Sequence, residues 1–112
     1  LLVHAADVEL EGMALLEALG TGLPALVARA PKSAASTLAI GDEFRFPAGD
    51  VEELARRIDH LIEHPEWLAA GRQAALAAAE GLRLEASVAK LEAIYQRIAR
   101  PAGATGAAAR AA

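Results

Sequence analysis

The sequence predicts an α/β fold on parallel strands, and three observations lead there. Residues 1–28 run as a short apolar segment, a helical pattern and a second apolar segment, the rhythm of a strand–helix–strand unit. Glycine and proline at positions 20, 22 and 24 separate the helix from the second strand. From Asp50 onward the chain reads as successive helices with apolar positions at helical spacing.

In chain order, Leu1–Val3 is the first buried strand, ending at His4-Ala5-Ala6-Asp7. A loop follows from Asp7 to Glu11. From Gly12 to Gly20 the apolar residues Met13, Leu15, Leu16 and Leu19 fall at mixed three- and four-residue intervals, as in a largely buried helix. Gly20 and Gly22 stop that helix, and Pro24 turns the chain into the buried strand "ALVA" (25–28). Residues 29–40 form a turn-rich connection with room for a helical turn. "FRF" (44–46) is a short strand stopped by Pro47 and Gly49.

Asp50 is the expected N-cap of the next helix, with Glu53 in the capping-box position. Val51, Leu54, Ile58, Leu61 and Ile62 form its apolar stripe, and His64-Pro65 ends it because the residue before proline leaves helical geometry. A helix over Glu66 to Glu80 is expected to break or soften at Gly71. A last helix, from about Glu85 to Ala99, carries Val88, Leu91, Tyr95 and Ile98 along one side. Residues 1–100 read as one partial domain, and the Ala/Gly-rich tail, 101–112, is expected to be disordered.

Bulk properties narrow the function classes. Aromatics make up only 4%, so the core must come from Leu, Val and Ile. A net charge of −4, with eleven scattered Lys and Arg, provides no basic field for nucleic acid. With no cysteine there is neither a disulfide framework nor a thiolate metal site, which agrees with a reducing cytoplasm. No apolar run reaches the roughly 18 residues of a membrane span. The opening Leu1-Leu2-Val3-His4 reads as a strand already under way, so the chain is expected to be part of a longer one.

The stretch that carries chemistry is "VELEGMALLEALGTGLPALV" (8–27). Amides in the first turn after Gly12 lack intrahelical partners, and the helix dipole adds partial positive charge, which suits a phosphate. Gly12 has no side chain, which lets a ligand approach the backbone. Glu17, inside the helix, is placed to meet paired hydroxyls such as those of a ribose, and Glu9, ahead of it, to meet another polyol. From spacing alone, a solvated loop and a surface helix are the better account of these glutamates.

The surrounding residues add a resemblance. A glutamate, seven residues and a second glutamate, with a glycine three after the first and an "EA-small-G-x-P" ending, is matched by Glu9, Gly12, Glu17, Ala18, Gly22 and Pro24. The stretch resembles the C-terminal half of retaining GT-B glycosyltransferases (glycosyltransferase family 4, glycosyl transferases group 1). "EGMALLEA", "PKSAAS", "ELARRIDHLIEHPE" and "SVAKLEAIYQ" make it most similar to the diacylglycerol glucosyltransferase-like branch. The resemblance implies the distal half of a Rossmann-like donor-binding domain with C-terminal helices. It also implies transfer of a hexose from a nucleotide sugar with retention of configuration.

Carried over by position, Glu9 contacts the donor hexose as the catalytic carboxylate, amides of Gly12, Met13 and Ala14 meet the donor phosphates, and Glu17 holds the ribose. The resemblance implies no metal and no cofactor, the nucleotide sugar being a substrate, and an acceptor that is a lipid or a glycan. It further implies a missing N-terminal domain as partner, which Tyr95 and Ile98 would face. The upstream basic pair that neutralises the diphosphate is likewise missing. Activity is therefore expected only of a longer parent, cytoplasmic or peripheral to a membrane through the absent part. The 112-residue chain by itself is expected to be inactive and marginally stable. Glu11, Ala35 and Ser36 depart from the family pattern. A non-catalytic module of degenerate GT-B fold, and a GT-B sugar-nucleotide epimerase, are the alternatives; the presence of both Glu9 and Glu17 favours the transferase.

Other residues have plain readings. His4 ends a strand and is expected to be satisfied locally. His60 and His64 lack a third ligand for a metal. Arg56 and Arg57 read as surface pairs with Glu52, Glu53 and Asp59, and Trp67 as a packing anchor on the preceding helix. Ser33 and Ser36 read as turn-forming hydroxyls.

Overall fold

The computed structural model describes residues 1–99; the expected disordered tail lies outside them. The chain divides into two compact units, Leu1–Glu80 and Gly81–Ala112.

The first unit is an α/β layer structure. Its sheet has three parallel strands in the order β1 (Leu2–His4), β3 (Ala25–Arg29), β5 (Arg45–Pro47). Leu2, Val3 and His4 pair with Ala25, Leu26 and Val27, while Val27, Ala28 and Arg29 pair with Arg45, Phe46 and Pro47. The outer two strands sit one residue later than the sequence suggests. A second, two-residue ladder pairs β2 (Val8–Glu9) with β4 (Lys32–Ser33), where the sequence pattern indicated only loops.

Strand β3 is central, and both of its faces are covered. Ala25 and Val27 join Leu15, Leu19, Ala35 and Ala75 on one side; Leu26 and Ala28 join Phe44, Phe46 and Leu61 on the other. Alternating side chains thus enter two separate cores, which is why this strand is apolar at successive positions. Each buried leucine contributes about 1.5–3 kcal/mol of transfer free energy.

Helix α1 (Met13–Gly20) covers one face with Leu15, Ala18 and Leu19. Its end is a Schellman arrangement: the Gly22 amide donates to the Leu19 carbonyl at 2.9 Å and the Leu23 amide to the Ala18 carbonyl at 2.8 Å. Gly22, at φ 72°, supplies the left-handed residue, whereas Gly20 lies inside the helix.

Helix α2 (Val51–Glu63) covers the other face. Asp50 caps it, its Oδ1 accepting from the Glu53 amide at 2.9 Å. The reciprocal half of the capping box is not made. The Asp50 amide donates to the Pro47 carbonyl, and the Glu53 carboxylate accepts from Arg57 Nε at 2.7 Å and Arg56 Nη2 at 2.9 Å. The apolar stripe is narrower than expected. Leu61 is buried and Leu54 and Ile58 pack beside it, but Val51 and Ile62 are exposed. A helix turns 100° per residue, so with Leu54, Ile58 and Leu61 facing the sheet, Ile62 is turned to the flank, where it is 68% exposed.

Helix α3 (Pro65–Glu80) is continuous through Gly71. The glycine is there for packing: a Cβ on it would lie 2.6 Å from Phe44 Cζ and 3.2 Å from Pro24 Cγ. Pro24 and Phe44 immediately precede β3 and β5, so α3 crosses close against the amino ends of these strands. Trp67 meets His60 of α2 in a tilted contact with ring centroids 5.6 Å apart, but it remains 41% exposed, so it touches the preceding helix without being buried against it.

The second unit contains α4 (Leu84–Ala99), none of whose residues is buried; Val88, Leu91, Tyr95 and Ile98 are all exposed. Among the described residues no helix is long and apolar enough to cross a membrane.

Two helical glycines are predicted to respond in opposite directions. Gly71→Ala drives a methyl into the buried Phe44 ring; overpacking of about 1–3 kcal/mol outweighs a helix-propensity gain of up to about 1 kcal/mol, and the midpoint of urea unfolding falls. Gly20→Ala meets nothing within 4 Å, so it raises the midpoint by the equivalent of about 0.4–1 kcal/mol. Glu53 gives a pH prediction. Hydrogen bonds from Arg57 first, then Arg56, hold its carboxyl below the ordinary 4.5. Its stabilising effect is complete above that value and is lost as pH falls through the lower folded-state value. Thermal melts of wild type and Glu53→Gln should therefore differ at neutral pH and converge in acid.

Candidate functional site

With α3 across the amino ends of β3 and β5, the loops at the carboxyl ends carry the polar groups. This is the edge at which open parallel sheets place ligands. The chain leaves β1 at His4, runs through β2 and enters α1 at Gly12. The β2–β4 ladder brings this loop against the segment after β3, setting Glu9 opposite Ser33. A 3₁₀ turn, Ala34–Leu38, follows immediately.

Gly12 is the N-cap of α1 at φ 69°, ψ 47°, and no side chain caps the helix. The amides of Met13 and Ala14 in the first turn therefore have no capping acceptor. The reason for glycine differs from the one the sequence suggests. The side of Gly12 where a Cβ would stand is occupied by Ala35 Cβ at 3.6 Å, Leu38 Cδ1 at 3.7 Å and Glu9 Cγ at 3.8 Å. That direction offers no path to a ligand, and the residue is needed for its left-handed backbone.

Glu9 turns back on its own loop. Its Oε1 accepts from the Leu10 amide at 3.0 Å and the Glu11 amide at 3.4 Å. The Gly12 amide, then the Glu11 amide, and less strongly the Leu10 amide and the nearby His4, hold this carboxyl below its ordinary value; partial desolvation opposes them. The other oxygen, Oε2, lies 3.7 Å from His4 Nε2.

Two neighbouring polar atoms are buried without a hydrogen-bond partner, His4 Nε2 and Ser33 Oγ. Both depart from expectation, since His4 was to be satisfied locally and Ser33 to serve a turn. Ser36 does serve one, donating to the Ser33 carbonyl at 3.5 Å. Buried groups of this kind are uncommon, and they gather around Glu9.

The sequence-derived residues thus divide into two groups. Glu9, Gly12 and the amides of Met13 and Ala14 come together at one junction. Glu17 is exposed, one turn along α1 from Met13 and on the same side. Glu11 is exposed as well. A shallow cavity of about 210 Å³ lies nearby between Asp7, Phe46, Asp50 and Leu54, but neither Glu9 nor Gly12 lines it. His60 on α2 and His64 just past its end stand apart, ring centroids 4.6 Å from each other, and no cluster of three metal-ligating side chains occurs among the described residues.

Sequence reasoning missed two cations that tie the turn before β5, at the amino end of that strand, to its neighbours. Arg57 donates to the Asp42 and Glu43 carbonyls at 3.3 and 2.9 Å, tying α2 to the turn before β5. Arg45 donates to the Ser36 carbonyl at 3.2 Å and pairs with Asp42 at 2.6 Å. Spacing shows the pairing of Arg57 with Glu53 but not these contacts, because their carbonyl acceptors lie nine to fifteen residues away.

Comparison of the chain with protein-family models, with curated proteins and with solved structures finds no match.

A prediction follows for Gly12→Ala. Its surroundings are at ordinary van der Waals distance, so the cost is that of a left-handed alanine, about 1–2 kcal/mol. Urea titration should show that loss. An unchanged midpoint would mean the backbone at position 12 relaxes freely.

Proposed function

We propose that this chain carries the donor-binding half-site of a nucleotide-sugar-dependent, retaining hexosyltransferase of GT-B architecture, the distal half of its Rossmann-like donor domain. The observation that carries this reading is the junction at Gly12. A left-handed glycine opens α1 at the carboxyl end of a parallel sheet, with uncapped amides at Met13 and Ala14 and the Glu9 carboxylate on the loop just ahead, held by the Leu10 and Glu11 amides.

In this reading the amides of Gly12, Met13 and Ala14 receive the donor diphosphate, whose charge the dipole of α1 favours. Glu9 meets the hexose and stabilises the positive charge that develops as the glycosidic bond breaks, an electrostatic role rather than that of an acid/base pair. Glu17, one turn further along the exposed side, accepts hydrogen bonds from the ribose. Glycosyl transfer also needs cationic groups for the leaving diphosphate and a surface for the acceptor, a lipid or a glycan. Both are assigned to a longer parent chain.

The test is titration of the chain and of Glu17→Ala with UDP-glucose and GDP-mannose, followed by calorimetry and by amide chemical shifts. Charged hydrogen bonds contribute about 1.5–3 kcal/mol, so losing Glu17 should weaken binding at least about tenfold. Equal affinity for the variant would remove the ribose role. Nucleotide sugars that bind while leaving residues 9–17 unperturbed would overturn the donor site itself.

A further inference from the structure

Helix α4 has no buried residue along its 16 positions, yet its apolar side chains are not scattered. Leu84, Val88, Leu91, Tyr95 and Ile98 recur at alternating intervals of four and three, and Ile94 widens the stripe. Exposure runs from 42% at Ile94 to 75% at Ile98. At 100° per residue the stripe covers about 120°, from Val88 round to Ile94, with Ser87 its polar member. This spacing is the seam of a coiled coil, with Val88 and Tyr95 in one set of seam positions and Leu84, Leu91 and Ile98 in the other. A β-branched residue in the first set and leucine in the second favour two strands.

The charges of α4 say what covers the seam. Glu85 and Glu92 lie about 40–60° beyond Val88 on one flank, and Lys90 and Arg97 about 40–60° beyond Ile94 on the other. The nearest opposite charges are therefore two or five residues apart, spacings at which they do not meet on one helix. Helix α2 does the reverse, bonding Glu53 to Arg56 and Arg57 three and four residues on. Lys90 donates to the Gly81 carbonyl at 3.0 Å, and Glu85 lies 3.7 Å from Arg83 just ahead of the helix; both contacts are exposed.

A stripe with acid along one flank and base along the other is self-complementary in one orientation only. Two such helices in parallel, about a two-fold axis along their length, set each acidic flank against the other's basic flank. Antiparallel pairing sets acid against acid and base against base. A lipid surface fits less well, because helices that lie on membranes carry Lys and Arg along the polar face, whereas here the flank charges cancel.

We propose that α4 is a dimerisation helix. Two copies of this chain pair their α4 helices in parallel through the stripe, with Glu85 and Glu92 of each facing Lys90 and Arg97 of the other. The pairing engages Tyr95 and Ile98, which the family resemblance sets against another domain, and it is independent of the donor site. Sixteen residues make a short seam, so the association is weak and follows mass action.

Sedimentation equilibrium of the 112-residue chain, from micromolar to millimolar concentration at low salt, is the test. The wild type passes from monomer to dimer, and Leu91→Asp, at mid-seam, stays monomeric throughout. Glu85→Lys with Glu92→Lys sets base against base on both sides and weakens the dimer at least about tenfold. Adding Lys90→Glu and Arg97→Glu restores it to within about twofold, because the flanks are again opposite.

A wild type that is monomeric at every concentration overturns the dimer and leaves the seam to a domain outside this chain. If phosphatidylcholine–phosphatidylserine vesicles capture that monomer, the seam belongs to a membrane surface instead. Association that survives Leu91→Asp places the contact elsewhere and also overturns the proposal. Should Leu91→Asp fail to fold, the charge series decides. Reversal of the acidic flank without loss of affinity, or a loss that the compensating pair does not repair, excludes the parallel arrangement.

Discussion

The burial of β3 from Ala25 to Ala28 on both faces is the constraint on which the first unit depends. Leu26 and Val27 have no exposed surface, and their side chains enter opposite cores. A strand covered on both faces needs helices on both faces, and parallel neighbours need crossovers long enough to provide them. Helix α1 arises in this way between β1 and β3, and α2 after β5. Helix α3 then contributes to both cores, through Ala75 on one side and Leu68 on the other. Its closest approach, at Gly71, closes the amino ends of the strands.

Closing one edge leaves the other for polar groups. At the carboxyl edge the backbone cannot complete its own hydrogen bonding, because the first amides of α1 have no partners within the helix. Glu9 serves the loop just ahead, accepting from the Leu10 and Glu11 amides, and leaves the amides of Met13 and Ala14 uncapped. The carboxylate on its own loop amides is a local solution to the same electrostatic problem that a bound phosphate would solve. Electrostatics near His4 and Ser33 are correspondingly unfinished, with buried donors or acceptors that the fold itself does not satisfy.

Legibility varied with the range of the interaction involved. Helix α1, its stop near Gly22 and the cap at Asp50 follow from short-range chemistry: apolar spacing, a left-handed glycine, a carboxylate reaching an amide three residues on. The β2–β4 ladder did not show in the pattern. Two-residue strands have no periodicity to detect, and their pairing joins residues brought together only by the sheet. Gly71 illustrates the same limit. Its cost to helix propensity suggests a break, whereas contact with Phe44 and Pro24 favours a residue without a side chain. At the site, the Glu9–Gly12 junction was legible as a motif, but the direction in which Glu9 points was not. His4 appeared as an ordinary strand end, and its partnerless nitrogen exists only because β1 and the glutamate loop fold over it.

By itself the sequence determined the α/β class, the order of the helices and the placement of a glycine and two glutamates around a helix start. These depend on spacing within a few residues, where backbone geometry alone says what can face what. Only the tertiary structure decided which apolar residues of α2 reach the core, what Gly12 and Gly71 are for, and where the Glu9 carboxylate rests. Each of those depends on a neighbour distant in the chain, and pattern cannot specify a contact whose other half lies on another element.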